Sequence, residues 1–260
     1  MNILHFNNDK SIAYHNHFVS KKKAPCVIFH HGFMSNMNGD KALFVENYCK
    51  EKDYSFIRYD SYGHGDSSGK FIDQTISQWL EGLLLVIKHL TTTPVILVGS
   101  SLGAWISVLA GMSIPERIAG IITISAAFDF TEELIWNGLD LEQRNKLEKN
   151  GVCEVGGTYP ICSRKYPISL NLIKDARQHL LLNRTKVDIT CPVHLIHGMQ
   201  DIDVPYTIST RAAEKIKCDN VVIKLIKDGN HSLSRAGDLQ LICHSIEEVA
   251  LLNKYNASFG

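Results

Sequence analysis

Six short apolar runs rich in β-branched residues recur along the chain, set apart by helical patterns, and this alternation restricts the fold more than any other feature. The runs are CVIFHHG (26–32), YSFIRYD (54–60), PVILVGS (94–100), IAGIITISAAF (118–128), PVHLIHG (192–198) and NVVIKLIKDG (220–229). Nearly all of their positions are apolar, rather than every second one, which suits strands covered on both faces, as in a parallel sheet. Around them, KALFVENYCKE (41–51), TISQWLEGLLLVIKHL (75–90), LGAWISVLAGM (102–112), YTISTRAAEKI (206–216) and DLQLICHSIEEVALL (238–252) place apolar residues near three- and four-residue spacing, as helices do. Strand, helix, strand in sequence predicts right-handed crossovers and a doubly wound, mostly parallel α/β sheet.

Met1 to Val19 adds an expected antiparallel hairpin at one edge, turning near Asn7-Asn8-Asp9-Lys10. The alternation lapses between Phe130 and Thr190. There, helical pieces (EELIWNGL, ISLNLIKDARQHLLL) mix with GVCEVGGTYPICSRKYP, and the stretch of about 130–190 reads as a small helical cap inserted into one domain. A chain of 260 residues can bury a substantial core in a single domain.

With 27 basic and 27 acidic side chains, the formal net charge is zero. No global field then points towards nucleic acid or an anionic membrane, and a small or locally recognised partner is expected. Seven cysteines (Cys26, Cys49, Cys153, Cys162, Cys191, Cys218, Cys243) are odd in number and lack C-x-x-C spacing. They read as buried thiols in a reducing cytoplasm rather than a disulfide framework or zinc ribbon. The N-terminus lacks the apolar core of a signal peptide, and Leu83 to Ile87 is far too short to span a bilayer, so no stable membrane anchor is expected. His15-x-His17 has no accompanying carboxylate or thiol cluster, and no metal or organic cofactor is expected.

The stretch LVGSSLGAW joins a strand pattern to a helix pattern through Gly99-Ser100-Ser101-Leu102-Gly103. Gly-x-Ser-x-Gly in that context is a nucleophile elbow, a strained turn that lifts its central side chain above the sheet edge. Ser101 occupies the centre; Ser100 reads as the last strand residue. A serine is a poor nucleophile without a base, and the base needs a third group to fix its tautomer. Asp201 falls in the loop after PVHLIHG, and His231 falls just past NVVIKLIKDG, where Gly229 and Asn230 supply a turn. Asp203, or Asp129 at the end of the preceding strand, remains an alternative acid.

Two backbone donors are needed for a tetrahedral oxyanion. Leu102 follows the nucleophile and Phe33 follows His30-His31-Gly32 at an earlier strand end, so their amides are the expected oxyanion hole; a plain strand-ending turn is the other reading of HHGF. GHGDSSG lacks the Lys-Ser/Thr ending of a phosphate loop and reads as a tight loop on the pocket floor. Phe33, Trp105, Phe130 and Trp136 are expected to bind substrate, with a cap core as the alternative role for the cap aromatics.

HHGF, RYDSYGHGDSSG, VGSSLGAW, HGMQDIDVP and DGNHS together resemble the α/β-hydrolase superfamily over nearly the whole chain. SNMNGDKA, LVGSSLGAW, LIKDARQHLLL and CPVHLIHGMQD are similar to a branch containing a mitochondrial palmitoyl-protein thioesterase and acyl-glucuronide esterase, with its bacterial relatives. The resemblance implies Ser101 as nucleophile, Asp201 as acid and His231 as base. Cap residues GGTYPICSRKYPISL depart from that branch, which leaves the acyl group open. The expected chemistry is acyl-enzyme hydrolysis of carboxylic esters or thioesters, of small molecules or acylated proteins. A non-catalytic ligand binder, a short-chain esterase and a small peptidase are the competing readings; a dehalogenase or epoxide hydrolase would carry Asp where Ser101 stands.

Overall fold

The computed structural model describes residues 1–7, 10–19, 25–156 and 165–256. Its strands in chain order are β1 (Asn2–Asn7), β2 (Lys10–His17), β3 (Cys26–His30), β4 (Phe56–Tyr59), β5 (Val95–Ser100), β6 (Ile118–Ile124), β7 (Val152–Val155), β8 (Tyr166–Ser169), β9 (Val193–Gly198) and β10 (Val221–Ile226). The helices are α1 (Asp40–Glu51), α2 (Ile76–Leu90), α3 (Leu102–Ser113), α4 (Leu141–Asn150), α5 (Leu170–Ala176), α6 (Thr207–Lys215) and α7 (Ala236–Asn256).

Eight strands form one sheet in the order β1-β2-β4-β3-β5-β6-β9-β10. From β4 to β10 all pairs are parallel, and β1 and β2 add the antiparallel edge that the N-terminal pattern predicts. Asn8 and Asp9 of the expected turn lie outside the described residues. Successive side chains of a strand point to opposite faces. Accordingly Ile28, Leu97, Ile121 and Leu195 pack with α2, α3 and α6, while Val27, Phe29, Ile96, Val98, Ile122 and Ile196 pack with α1 and α7. From β3 to β9 both faces are covered, which is why those runs read as continuously apolar, whereas the edge strand β10 leaves Ile223 and Leu225 exposed despite its apolar run. The 12-residue α3 has ten buried residues and forms the centre of its layer.

Between β6 and β9 the chain leaves the sheet. Short turns at Thr131–Ile135 and Trp136–Gly138 lead into α4, the antiparallel pair β7–β8, and α5. Neither α4 nor the β7–β8 pair stands out as apolar periodicity: Leu147 is the one buried residue of α4, and β7 alternates over only four residues. A capping box between Asp140 and Gln143 starts α4 instead. This segment is tied to the rest of the fold where it returns. The Asp129 carboxylate accepts from the amides of Leu181 (2.8 Å) and Leu182 (2.8 Å), the Trp105 indole donates to His179 O, and Ser77 Oγ lies 2.7 Å from His179 Nε2.

Candidate active site

Ser101 sits between β5 and α3 with φ 54° and ψ −114°, a strained conformation for a residue with a side chain. The strain is built by close packing of strand against helix. A Cβ on Gly99 would lie 2.3 Å from Gly103 O, and one on Gly103 would lie 2.2 Å from His30 O. Only glycine fits either position. The Ser101 backbone is held at the turn: its amide donates to Ile124 O (2.8 Å) and its carbonyl accepts from Ala104 and Ala127 (3.1 and 3.2 Å).

At the ends of β9 and β10, two further loops meet this corner. His231 Nε2 lies 3.2 Å from Ser101 Oγ, and His231 Nδ1 lies 2.7 Å from Asp201 Oδ2. The two loops touch backbone to backbone: Gln200 N donates to Gly229 O (2.9 Å), and a Cβ on Gly198 would lie 2.2 Å from that same oxygen. Asp201 Oδ1 accepts from the amides of Asp203 (2.9 Å) and Val204 (2.8 Å). Burial would raise the Asp201 carboxyl, but hydrogen bonds from His197 and His231, the His231 charge and the Val204 amide outweigh it and hold the group well below the usual carboxylate range.

Of the three candidate acids, Asp201 is the one hydrogen-bonded to His231. Asp203 supplies only its amide to the Asp201 carboxylate, and Asp129 is turned to Leu181 and Leu182. Burial pushes the Asp129 carboxyl up to about 6 against the pull of those two amides. Asp201, Asp203 and His231 also bring ligand atoms within 4.8 Å of one another, the one such group among the described residues. A cation there would have to displace the N–H donors that already surround Asp201.

A cavity of about 290 Å³ opens at Ser101, lined by His31, Gly32, Phe33, Lys41, His231 and neighbouring loop residues. Leu102 is the first residue of α3, where a helix leaves its amides without internal acceptors. A Cβ on Gly32 would meet Ser101 Cβ at 3.3 Å, so the loop after β3 runs directly against the elbow. Of the residues expected to bind substrate, Phe33 lines this cavity. Its ring packs against Phe71, Phe130 and Tyr166 at centroid separations of 4.8, 5.4 and 5.4 Å. Phe130 is therefore one ring removed from the wall. Trp105 is fully buried behind Phe130, and Trp136 stacks with the guanidinium groups of Arg177 (4.7 Å) and Arg144 (5.2 Å). Their rings are engaged elsewhere because the indole N–H of one finds His179 O and the face of the other attracts cations.

The GHGDSSG run does not reach the cavity wall. Asp60 accepts from Met37 N (2.7 Å) and Asp66 N (3.0 Å), tying this loop to the one after β3. His64 packs on His31 at 4.8 Å between ring centroids, so the run supports the wall from behind.

The sequence and the fold are similar to those of known proteins. The bovine protein named mitochondrial palmitoyl-protein thioesterase ABHD10 is 34% identical over 229 residues, covering 88% of this chain and 74% of its own. The mouse alpha/beta hydrolase domain-containing protein 10 superposes with a TM-score of 0.87 at 33% identity, covering 98% of each chain. The chain belongs to the α/β-hydrolase superfamily. The family model described as serine aminopeptidase (Hydrolase_4) matches residues 21–149, and a putative hydrolase from Agrobacterium vitis superposes with a TM-score of 0.88 at 33% identity over 96% of this chain and 97% of that one.

One histidine of this hydrolase escapes a reading of motifs alone. His197 lies inside the apolar run of β9, fully buried, with Nε2 3.1 Å from Asp201 Oδ2 and 3.0 Å from Val204 O, and Nδ1 2.7 Å from Ser209 Oγ. Its signal was its place: a polar residue at a strand end, four positions before the candidate acid.

Proposed function

We propose that this hydrolase cleaves carboxylic esters or thioesters through an acyl-enzyme on Ser101, with His231 as base and Asp201 as the acid that orients it. The observation that carries the reading is the unbroken line from Ser101 Oγ through His231 to Asp201 Oδ2. Asp201 accepts the Nδ1 proton, which leaves Nε2 free to take the proton of Ser101 as Oγ attacks the acyl carbonyl. The amides of Phe33 and Leu102 receive the oxyanion; loss of one good donor of this kind commonly costs about 3 kcal/mol of transition-state stabilisation. Collapse expels the alcohol or thiol, which takes the proton from His231. Water then repeats the sequence and releases the carboxylic acid.

The segment between β6 and β9 acts in this reading as the cap of a single domain, with Phe130 and Phe33 on the acyl side. The cavity at Ser101 lies near the lower end of ligand pockets, roughly 300–1,000 Å³, so a long acyl chain would need the aromatic cluster to yield. Long-chain thioesters are the first substrates to try because relatives 34% identical are named palmitoyl-protein thioesterases. No helix among the described residues is long and apolar enough to cross a membrane. The cysteines of the described residues are free thiols, which fits a reducing compartment; we place the protein in the cytoplasm, the mitochondrial location being that of the named relatives.

Rates against acyl esters and thioesters of graded chain length test this, with Ser101→Ala as control and fluorophosphonate labelling as a second readout. Turnover and labelling that both vanish in Ser101→Ala are expected. A wild-type protein that neither labels nor turns over would leave ligand binding as the function.

A further inference from the structure

His31 follows the last residue of β3, is 2% exposed, and presents its two ring nitrogens to two different backbone groups. Nε2 lies 3.1 Å from the Ser61 amide nitrogen, and Nδ1 lies 2.8 Å from the Gly32 carbonyl oxygen. A backbone N–H can only donate, so Nε2 is the acceptor and carries no proton. The one N–H of the neutral ring is then on Nδ1, where it donates to Gly32 O. Burial pushes His31 down to about 4 despite that bond, and the ring stays neutral at pH 7.

Gly32 O and the Phe33 N–H belong to one peptide plane, and in a trans peptide they point to opposite sides. The oxygen is held by His31 Nδ1 and, at 3.3 Å, by the Ser35 amide. On its other side the same loop faces the elbow, since a Cβ on Gly32 would be 3.9 Å from Ser101 Oγ. A peptide next to glycine rotates at little steric cost, so something must select one of its two orientations. We propose that His31 is a positioning residue: by anchoring Gly32 O, it turns the Phe33 N–H towards the oxygen that becomes charged in the tetrahedral intermediate. The role rests on the serine-hydrolase reading above.

Substitutions that separate the two ring nitrogens test it. Asn places an amide NH₂ near the position of Nδ1, whereas Gln reaches the position of Nε2. His31→Ala, His31→Asn and His31→Gln are compared with wild type in ester hydrolysis and in inhibition by an alkylboronic acid, whose tetrahedral serine adduct sets an oxygen in the oxyanion site. Loss of the anchor is expected to lower kcat by about 10- to 100-fold with KM within about twofold, and to weaken the boronate by a similar factor, because only transition-state binding is affected. His31→Asn recovers most of the loss and His31→Gln does not. An Ala variant with wild-type kcat, or Asn and Gln variants that recover equally, overturns the proposal. If the Ala variant does not fold, the Asn and Gln pair carries the comparison. Wild-type protein without turnover or fluorophosphonate labelling would instead defeat the hydrolase reading; active, labelled wild type with indifferent His31 variants defeats only the positioning role.

Discussion

His197 Nε2 lies 3.1 Å from Oδ2 of Asp201, the same carboxylate oxygen that His231 Nδ1 reaches at 2.7 Å, so two imidazoles share one acid atom. His197 is fixed in turn by Ser209 Oγ and Val204 O, all inside the protein. The Asp201 carboxylate is thus held from behind as well as from the side of His231.

Removing that hold has a signed consequence. His197 is among the groups that keep the Asp201 carboxyl low, so His197→Ala raises it towards its ordinary range. Activity on the acid side then fails at higher pH than in wild type. A hydrogen bond to a charged group is worth roughly 1.5–3 kcal/mol, which corresponds to a fall in kcat of about 10- to 100-fold. His197→Gln, which retains a donor near Nε2, restores most of it. An Ala variant whose pH profile of kcat/KM overlays wild type would contradict the assignment.

Asp201→Asn is expected to lower kcat by about 10⁴-fold, the effect of giving the base the wrong tautomer. Asp203→Asn should remain close to wild type, because Asp203 contributes its amide and not its carboxylate. Steady-state kinetics on the two variants decide the matter; comparable losses in both would point to a different acid.

Acid should weaken the fold below about pH 6.5. Burial depresses His31 to about 4 and His64 to about 3, and holds His30 well below its usual value. The folded state keeps these rings neutral while the unfolded chain takes up protons, so their contribution is complete above the unfolded value of 6.5 and is lost as pH falls towards 4 and then 3. For His31 alone this amounts to about 3 kcal/mol. Asp129 acts in the opposite sense, since its folded value of about 6 exceeds 3.8 and acidification between those values favours folding through that group. Burial raises Asp60 as well, in the same sense as Asp129, and lowers His179 and His194, which join the other side; the histidines outweigh the two carboxyls. Calorimetry at pH 7 and pH 4.5 should show a lower Tm at the acid end, and equal melting temperatures would refute the balance.

Asp129→Ala should loosen the return of the inserted segment. It leaves the Leu181 and Leu182 amides without their acceptor, at a cost of about 1–3 kcal/mol for each donor left buried. Thermal unfolding reads the loss, and a rise in KM accompanies it if the segment covers the substrate. A variant with unchanged Tm would show that water replaces the carboxylate.

The sheet and its flanking helices were legible because strands such as Cys26–His30 and Val193–Gly198 are buried along their whole length and helices such as Ile76–Leu90 bury one stripe. Ser101 was legible because Gly99 and Gly103 record a backbone contact that no other residue permits. Asp201 and His231 followed from their positions after strands. What stayed hidden depends on contacts between distant positions. Nothing local marks Trp136 as a platform for Arg144 and Arg177, or Trp105 as a donor to His179, and the helix Leu141–Asn150 is held by its caps and by Leu147 rather than by an apolar stripe.

The contact between Gly198 and Gly229 fixes two loops of the hydrolase against each other. The loop that carries Asp201 and the loop that carries His231 meet main chain to main chain, so a shift of one presses on the other. The serine corner joins the same frame through β6, by Ser101 N to Ile124 O and Ser125 N to Ile196 O, both 2.8 Å. The separation of the Asp201 carboxylate from the His231 imidazole is therefore set by main-chain packing, and a side chain added at 198 or 229 would disturb it without touching either residue.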